Sequence, residues 1–573
     1  MRQCRVVKSA SSFQHARSAA EAPAIDAVSA VDCGRLALWL GMVRKMGLGR
    51  AIDQLLPTES EVSHGAVVEA LVLNRLLSPR PLYRIDEWAR DVDLGVLTGI
   101  DPARLNDDRV GRTLDALALK ERDCQSAVSL RVIQQFALDT ADAHYDTTTA
   151  WLEGDYDDSE LAARGHSKDG DRRRKQVVIG TVATADGEVP LAQVTAPGNT
   201  ADVTTVPAML RALRACVRTD AIVVSGDSVM WSQANMDAVA AAHGVFLGPI
   251  AMNAAVERWV RAAVPEVEIE VELARQATPV AYRACVVGRF AVNGVADAGV
   301  RIVVLDPRRA AAESAERAAA LTRMEAALTT LATHCESARP KASAPAPKKP
   351  LSAERELAAA EKKRIAAEKR LAAAHKKLSA LRARHGLAAR YVTTELVAIE
   401  DVLTLRWQRD EAALAAAPER DGRWPLVTNR AGLSDAALCT WAVRRYKGHG
   451  RIERDQHLLK GELKVRPLFV QNDDRIRALV MICLWSLTAW TLLERQARRA
   501  LPPAPRKPLP LIARLEGMIR AINVVTFRLG DDGPLRRAVT QLHPRVQSLL
   551  HGLGLAREIR AILDDAAEVR IQV

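Results

Sequence analysis

No two cysteines in this chain are spaced as Cys-x-x-Cys. The eight present, at positions 4, 33, 124, 216, 285, 335, 439 and 483, are scattered, which argues against a zinc site and against a disulfide framework. Long apolar runs are missing too: a membrane span needs roughly 18 uninterrupted apolar residues, and the best candidate, 478–493, is about 16 and reads as a buried helix. No charged n-region followed by an apolar h-region opens the chain, so a cytoplasmic protein without a membrane partner is expected. No internal repeat is visible, which sets solenoids aside.

What is present is length, apolar material and positive charge. The chain has 573 residues, 48% of them hydrophobic, and a formal net charge of +12. Length suggests three or four domains, and the charge favours a polyanionic partner or simple solubility. Residues 1–30 are small and polar and read as a loose tail. From 31 to 135 the pattern is helical, with apolar faces around Leu38, Val68 and Leu114 and recurrent arginines between them; this is a DNA-binding domain or a packing module. Strands follow. One ends on Asp146, a β-branched run covers 175–184, a turn carries Asp186-Gly187, and a third strand occupies 189–195. After a helix, 221–227 is a buried strand ending on Asp227, and 244–250 makes a fifth.

Three antiparallel strands, a helix, then strand–helix–strand is the order of a ribonuclease-H-like sheet. In that fold the first and fourth strands lie side by side and end on acidic residues, here Asp146 and Asp227. The expected fold is therefore α/β, with a ribonuclease-H-like catalytic core in two parts, 136–255 and 416–500. Between them, 256–415 holds strands and two long helices rich in Ala, Glu, Lys, Arg and Leu, with Leu371, Ala374, Leu378 and Leu381 as a partial heptad stripe. A Pro-rich linker at 339–350 cannot be helical, so the two helices form an arm for protein contacts or for gripping DNA. Residues 501–573 read as helical after a Pro-rich hinge.

The densest chemistry lies at 446–460. Tyr446, His449, Glu453 and Lys460 step by three, four and seven residues, so on a helix they share a face. One carboxylate flanked by a ring, an imidazole and cations suits a site for a metal ion and a phosphate; a solvated helix face is the plain alternative.

Taken together, 145–149, 165–169 with 175–180, 191–200, 224–227, 421–429, 446–460, 465–469 and 474–477 resemble an insertion-sequence transposase with an Asp-Asp-Glu catalytic set. The insertion sequence 4 type is the match, closest to the insertion sequence 1634 branch. That resemblance implies Asp146, Asp227 and Glu453 as catalytic metal ligands, with Asp146 bridging two ions. The ions are Mg2+ (or Mn2+), about 3.5–4 Å apart, because hard cations prefer oxygen donors. It further implies DNA contacts by Tyr446, His449, Arg451, Lys460 and Arg466, double-stranded transposon ends and target DNA as partners, and a homodimer handling both ends. The family signature on the glutamate helix is Tyr, Arg, Glu and Lys. Here His449 stands in the arginine's place between Gly448 and Gly450, so the helix starts near Arg451 if the glycines break it, and Arg451 is the substitute cation.

Rival readings remain at each position. Asp142 competes with Asp146, which otherwise caps a strand end. Asp227 is alternatively a helix N-cap, and Asp455 and Glu462 compete with Glu453. Trp151 and Trp231 stack on a displaced base or pack in the core, and His166 and Lys168 match a motif without a derived role. The function expected is metal-dependent cleavage and strand transfer at terminal inverted repeats; the alternative is a transposase-derived DNA-binding protein without that activity, and a coiled-coil scaffold is a weaker third.

Overall fold

The computed structural model describes residues 25–165, 173–217, 222–272, 278–337, 353–399, 402–447, 470–501, 511–520, 522–529, 535–567 and 569–571. A short strand, β1 (Ile25–Asp32), leads into seven helices: α1 (Gly34–Met46), α2 (Leu48–Leu55), α3 (His64–Leu77), α4 (Ile85–Asp91), α5 (Leu94–Thr98), α6 (Asp107–Leu119) and α7 (Glu121–Phe136). The side chains that start and stop them are visible in the sequence. Ser63 and Asn106 accept from the backbone N–H groups three residues on, at Ala66 and Arg109, and Gly47 closes α1 at a positive φ of 70°. Leu38, Trp39, Val68, Leu71 and Leu114 are buried in one core, as their helical spacing requires.

A nine-stranded mixed sheet follows. Its strands are β2 (Asp142–Trp151), β3 (Gln176–Thr184), β4 (Pro190–Pro197), β5 (Val223–Ser225), β6 (Val245–Pro249), β7 (Val267–Val271), β8 (Val280–Val292), β9 (Val295–Leu305) and, much later, β12 (Arg423–Thr428). Their spatial order is β4-β3-β2-β5-β6-β12-β9-β8-β7. β2, β3 and β4 are antiparallel neighbours, whereas β5 runs parallel to β2 and β6 parallel to β5. Helices α8 (Val206–Cys216), α9 (Gln233–Ala241) and α10 (Ala254–Ala262) connect these strands. β12 pairs with both β6 and β9, so the strands of the 256–415 region continue the sheet instead of forming a separate one.

The arm comprises α11 (Pro307–Ser337) and α12 (Ala353–Arg384), then α13 (Gly386–Ala389) and a hairpin of β10 (Val392–Ile399) and β11 (Val402–Arg409), with α14 (Glu411–Ala416) returning to the sheet. Leu321, Met324, Leu328 and Leu331 bury against Ala374 and Leu378, with Leu371 and Leu381 at the margin, which is the stripe that the sequence shows. After α15 (Asp435–Lys447) comes α16 (Asp473–Ala500), the one helix among the described residues long and apolar enough to cross a membrane by length and composition. Of that window 89% is buried inside the protein, as befits a core helix.

Two boundaries need correction. Residues 25–30 are not part of a loose tail, because β1 pairs antiparallel with β13 (Asn523–Leu529). Residues 501–573 are not purely helical: β13, β14 (Leu535–Thr540) and β15 (Val569–Ile571) form a four-stranded sheet with β1, alongside α17 (Leu511–Ile519), α18 (Pro544–Gly552) and α19 (Ala556–Ala566). β13 and β14 pair as neighbours in the sequence, but β1 gains its hydrogen-bond partner only from distant chain, and local pattern does not report that.

Candidate active site

On β2 successive side chains alternate between faces. Tyr145 points toward α8: its hydroxyl donates to Thr205 Oγ1 at 2.6 Å, and Val224 and Phe246 of the neighbouring strands join the same core. Asp142, His144 and Asp146 occupy the opposite face. There Val223, Val245 and Leu247 pack against Leu438, Cys439, Ala442 and Val443 of α15.

The parallel pairing of β2 with β5 matches Asp142 to Val223, Ala143 to Val224 and His144 to Ser225. Carried two residues past the end of the ladder, the same register would set Asp146 beside Asp227. A Cβ on Gly226 would lie 3.5 Å from the Tyr145 carbonyl oxygen, so the two chains still run together there. Asp146 thus lies in the middle of β2, which runs on to Trp151 instead of ending at the aspartate, and Asp227 lies two residues past the end of β5. Asp146 is half-buried and Asp227 exposed. Asp146 Oδ1 accepts from Thr147 N at 2.7 Å and Asp227 Oδ1 from Val229 N at 3.3 Å.

The rivals take other roles. Ser232, not Asp227, caps α9, its hydroxyl accepting from Asn235 N. Both oxygens of Asp142 are engaged by Arg445 of α15 in a close two-pronged ion pair, a tie that spacing could not reveal. Trp231 is 6% exposed, donates to Gly226 O at 3.3 Å and lies 5.8 Å from the Phe246 ring. It is a core residue beneath the Asp227 turn, as its packing reading anticipates. Gly248 permits this: a Cβ there would meet Trp231 Nε1 at 2.0 Å and Gly226 O at 2.5 Å. Trp151 is covered by the Arg174 guanidinium, 3.9 Å from its ring centre.

Tyr446, near the end of α15, is half-buried against the α15 core. His449, Arg451, Glu453, Lys460 and Arg466, with Asp455 and Glu462, lie outside the described residues, as do His166 and Lys168. Among the described residues no three His, Cys, Asp or Glu side chains are grouped to hold a metal ion. The donor chemistry of Asp146 and Asp227, two carboxylates carried by β2 and by the turn after β5, one of them open to solvent, fits a hard divalent cation that keeps part of its water shell.

Residues 142–314 match the family model described as "Transposase DDE domain". The matched segment includes Asp146 and Asp227 and supports a transposase of the Asp-Asp-Glu class. Residues 28–126, the helical N-terminal region, match a model described as "Domain of unknown function (DUF4277)". A search of curated proteins finds no match. Among solved structures, a piggyBac transposase synaptic complex with hairpin DNA, determined by cryo-electron microscopy, is similar over 94% of this chain and 86% of that one. Its identity is 8% and the TM-score 0.35, values too low to carry argument.

Proposed function

We propose that this chain is a DNA transposase that binds the terminal inverted repeats of an insertion sequence, cuts there and joins the freed ends to target DNA. The observation that carries the proposal is the β2–β5 register, which, carried two residues past Ser225, supports an approach of Asp146 and Asp227 on the face covered by α15. That helix runs directly into the segment holding Glu453. The order β4-β3-β2-β5-β6 with its antiparallel and parallel pairings supports a ribonuclease-H-like core, and the Tyr446, Glu453 and Lys460 spacing supports the insertion sequence 4 type.

In this reading Asp146, Asp227 and Glu453 hold two divalent ions, Mg2+ or Mn2+. Such ions would supply Lewis acidity toward a phosphodiester and lower the pKa of an attacking water or hydroxyl. The chain's own part is positional. Asp146 is fixed by its pairing with Thr181 of β3, and Trp231 and Gly248 support the turn that presents Asp227 to solvent. Tyr446, His449, Arg451, Lys460 and Arg466 contact end phosphates, contacts that position DNA without reading its sequence. Two ends must be handled together, so a homodimer is the working assembly.

The test is cleavage of duplex DNA carrying the inverted repeats that flank the reading frame, with Mg2+. Wild type should cut and rejoin. Asp146→Asn, Asp227→Asn and Glu453→Gln should each abolish cutting while sparing DNA binding. Binding without cutting by the wild type would instead establish the non-transposing DNA-binding relative.

A further inference from the structure

A cleft of about 770 Å³ opens where the base of the arm meets β6 and β12, with Ser228, next to Asp227, on its wall. Seven cations and three carboxylates line it, and Arg261, Arg309 and Arg420 pair with Glu257 or Glu313. In the cleft, Arg317 is neutralised by a buried two-pronged pair with Asp421, at 2.7 and 2.6 Å, which locks α11 to the strand that forms the opposite wall.

Three other cations lining it, Arg390, Arg423 and Lys447, have no carboxylate within ion-pair distance among the described residues. Arg423 spends Nη1 on the carbonyls of Val260, Arg261 and Ala263. Its Nε, like Trp424 Nε1, is buried without a hydrogen-bond partner among the described residues. Lys447 is held between rings, its Nζ 4.3 Å from the Trp424 ring centre and 5.1 Å from that of Tyr282. The carboxylate that acts on it, Asp306, is occupied in capping α11 through the N–H groups of Arg308 and Arg309. Desolvated cations in a concave site focus a positive potential, and cations interleaved with aromatic rings suit a nucleic-acid strand.

We infer that this cleft binds the DNA flanking the scissile phosphate, with Lys447 and Arg390 contacting its backbone. The inference rests on the transposase reading for the identity of the polyanion, and adds to it a DNA path between the catalytic face and the arm. Neither residue belongs to the Tyr-Arg-Glu-Lys signature.

The test uses the full chain and a fluorescein-labelled duplex, with affinity measured across a salt series. The double variant Arg390→Gln/Lys447→Gln should bind more weakly. Its slope of log K against log salt should fall by about 2, since each lost phosphate contact removes about 0.9. A benzoylphenylalanine placed at Leu387, an exposed residue lining the cleft, should crosslink the duplex on irradiation. The same group at Val295, exposed at the β8–β9 turn, should not. An unchanged salt slope in a variant with unaltered circular dichroism, or crosslinking from Val295 but not Leu387, overturns the inference. Either result would leave Mg2+-dependent cutting by the wild type intact. Failure of the transposase reading shows differently, as cutting that survives Asp227→Asn.

Discussion

Asp142 and Asp146 share one face of β2 two positions either side of His144, yet the structure gives them different work, and Asp142→Asn separates the two roles. Asp142 binds Arg445 through both oxygens, with side-chain exposures of 14% and 30%. Exposed ion pairs contribute about 0–1 kcal/mol, whereas removing one partner of a buried pair costs about 3–5 kcal/mol. This pair lies between those limits, so Asp142→Asn should destabilise the protein by about 2 kcal/mol. The midpoint of thermal unfolding should fall by about 2 °C if the whole chain unfolds together. Arg445→Met should cost a similar amount, and the double variant less than the sum of the two, the mark of direct coupling. Below the transition, DNA cleavage by Asp142→Asn should persist, because the tie only fixes α15 against the sheet. Asp146→Asn should behave inversely, with a near-normal melt and cleavage at background. A stable Asp142→Asn protein without cleavage would make Asp142 the metal-binding carboxylate and refute the assignment of its partner as structural.

Other consequences concern the supports of the site. Asp186, in the β3–β4 turn, accepts from Arg495 of α16 at 2.9 and 2.5 Å. Burial pushes its carboxyl up, but the Arg495 hydrogen bonds and charge outweigh that and hold it below its ordinary value. A depressed folded-state pKa stabilises fully above the unfolded value of about 3.9 and is lost as pH falls through the folded value. Asp186→Asn should therefore lose about 2 kcal/mol at neutral pH and flatten the acid limb of a urea-midpoint-versus-pH curve below about pH 4; an unchanged limb would contradict the pairing. Gly248→Ala drives a methyl into Trp231 and Gly226 O, so it should cost about 1–3 kcal/mol as overpacking and reduce cleavage by displacing the Asp227 turn. Full activity would show that the turn is not held from below. Gly180→Ala brings a Cβ to 2.1 Å from the Tyr145 hydroxyl oxygen and should break its bond to Thr205, seen as a lowered urea midpoint. Stripping divalent metal with EDTA should abolish cutting and leave DNA binding measurable by anisotropy; cutting that continues without metal would remove the role given to the three carboxylates.

Much of the sheet is legible in the sequence because its cues are local. The β-branched run before Asp186-Gly187 requires a hairpin, the short apolar strand 223–225 requires burial on both faces, and the acids Asp146 and Asp227 stand out against them. The β7 strand is equally legible, since Val267, Ile269 and Val271 alternate with Glu268 and Glu270. The β10–β11 hairpin is harder to see. It follows directly on a long run of strong helix formers, and its apolar period shows only in Leu403, Leu405 and Trp407. Arg445 is harder still: one cation among 81 lysines and arginines is singled out only when folding brings it to Asp142.

The hidden join between the chain's two ends changes what the N-terminal region is. Composition suggests a separable helical module before the catalytic sheet, but α1 packs on α17 and α19, Trp39 donates to Glu516 at 3.0 Å, and β1 completes its hydrogen bonding on β13. The long helix α16 lies in the same core, contacting α3 and α6 on one side and β4 on the other, with Arg475 bound to Asp115 at 2.6 and 2.8 Å. A buried apolar face exposed by cutting the chain anywhere after α7 would cost about 25 cal/mol for each Å² returned to water, and an edge strand would lose its ladder. The core of segment 28–126 is therefore continuous with that of the C-terminal helices and of α16, the element that also packs on β4 of the nine-stranded sheet, so the N-terminal helices are joined to that sheet through packed side chains as well as through the chain itself.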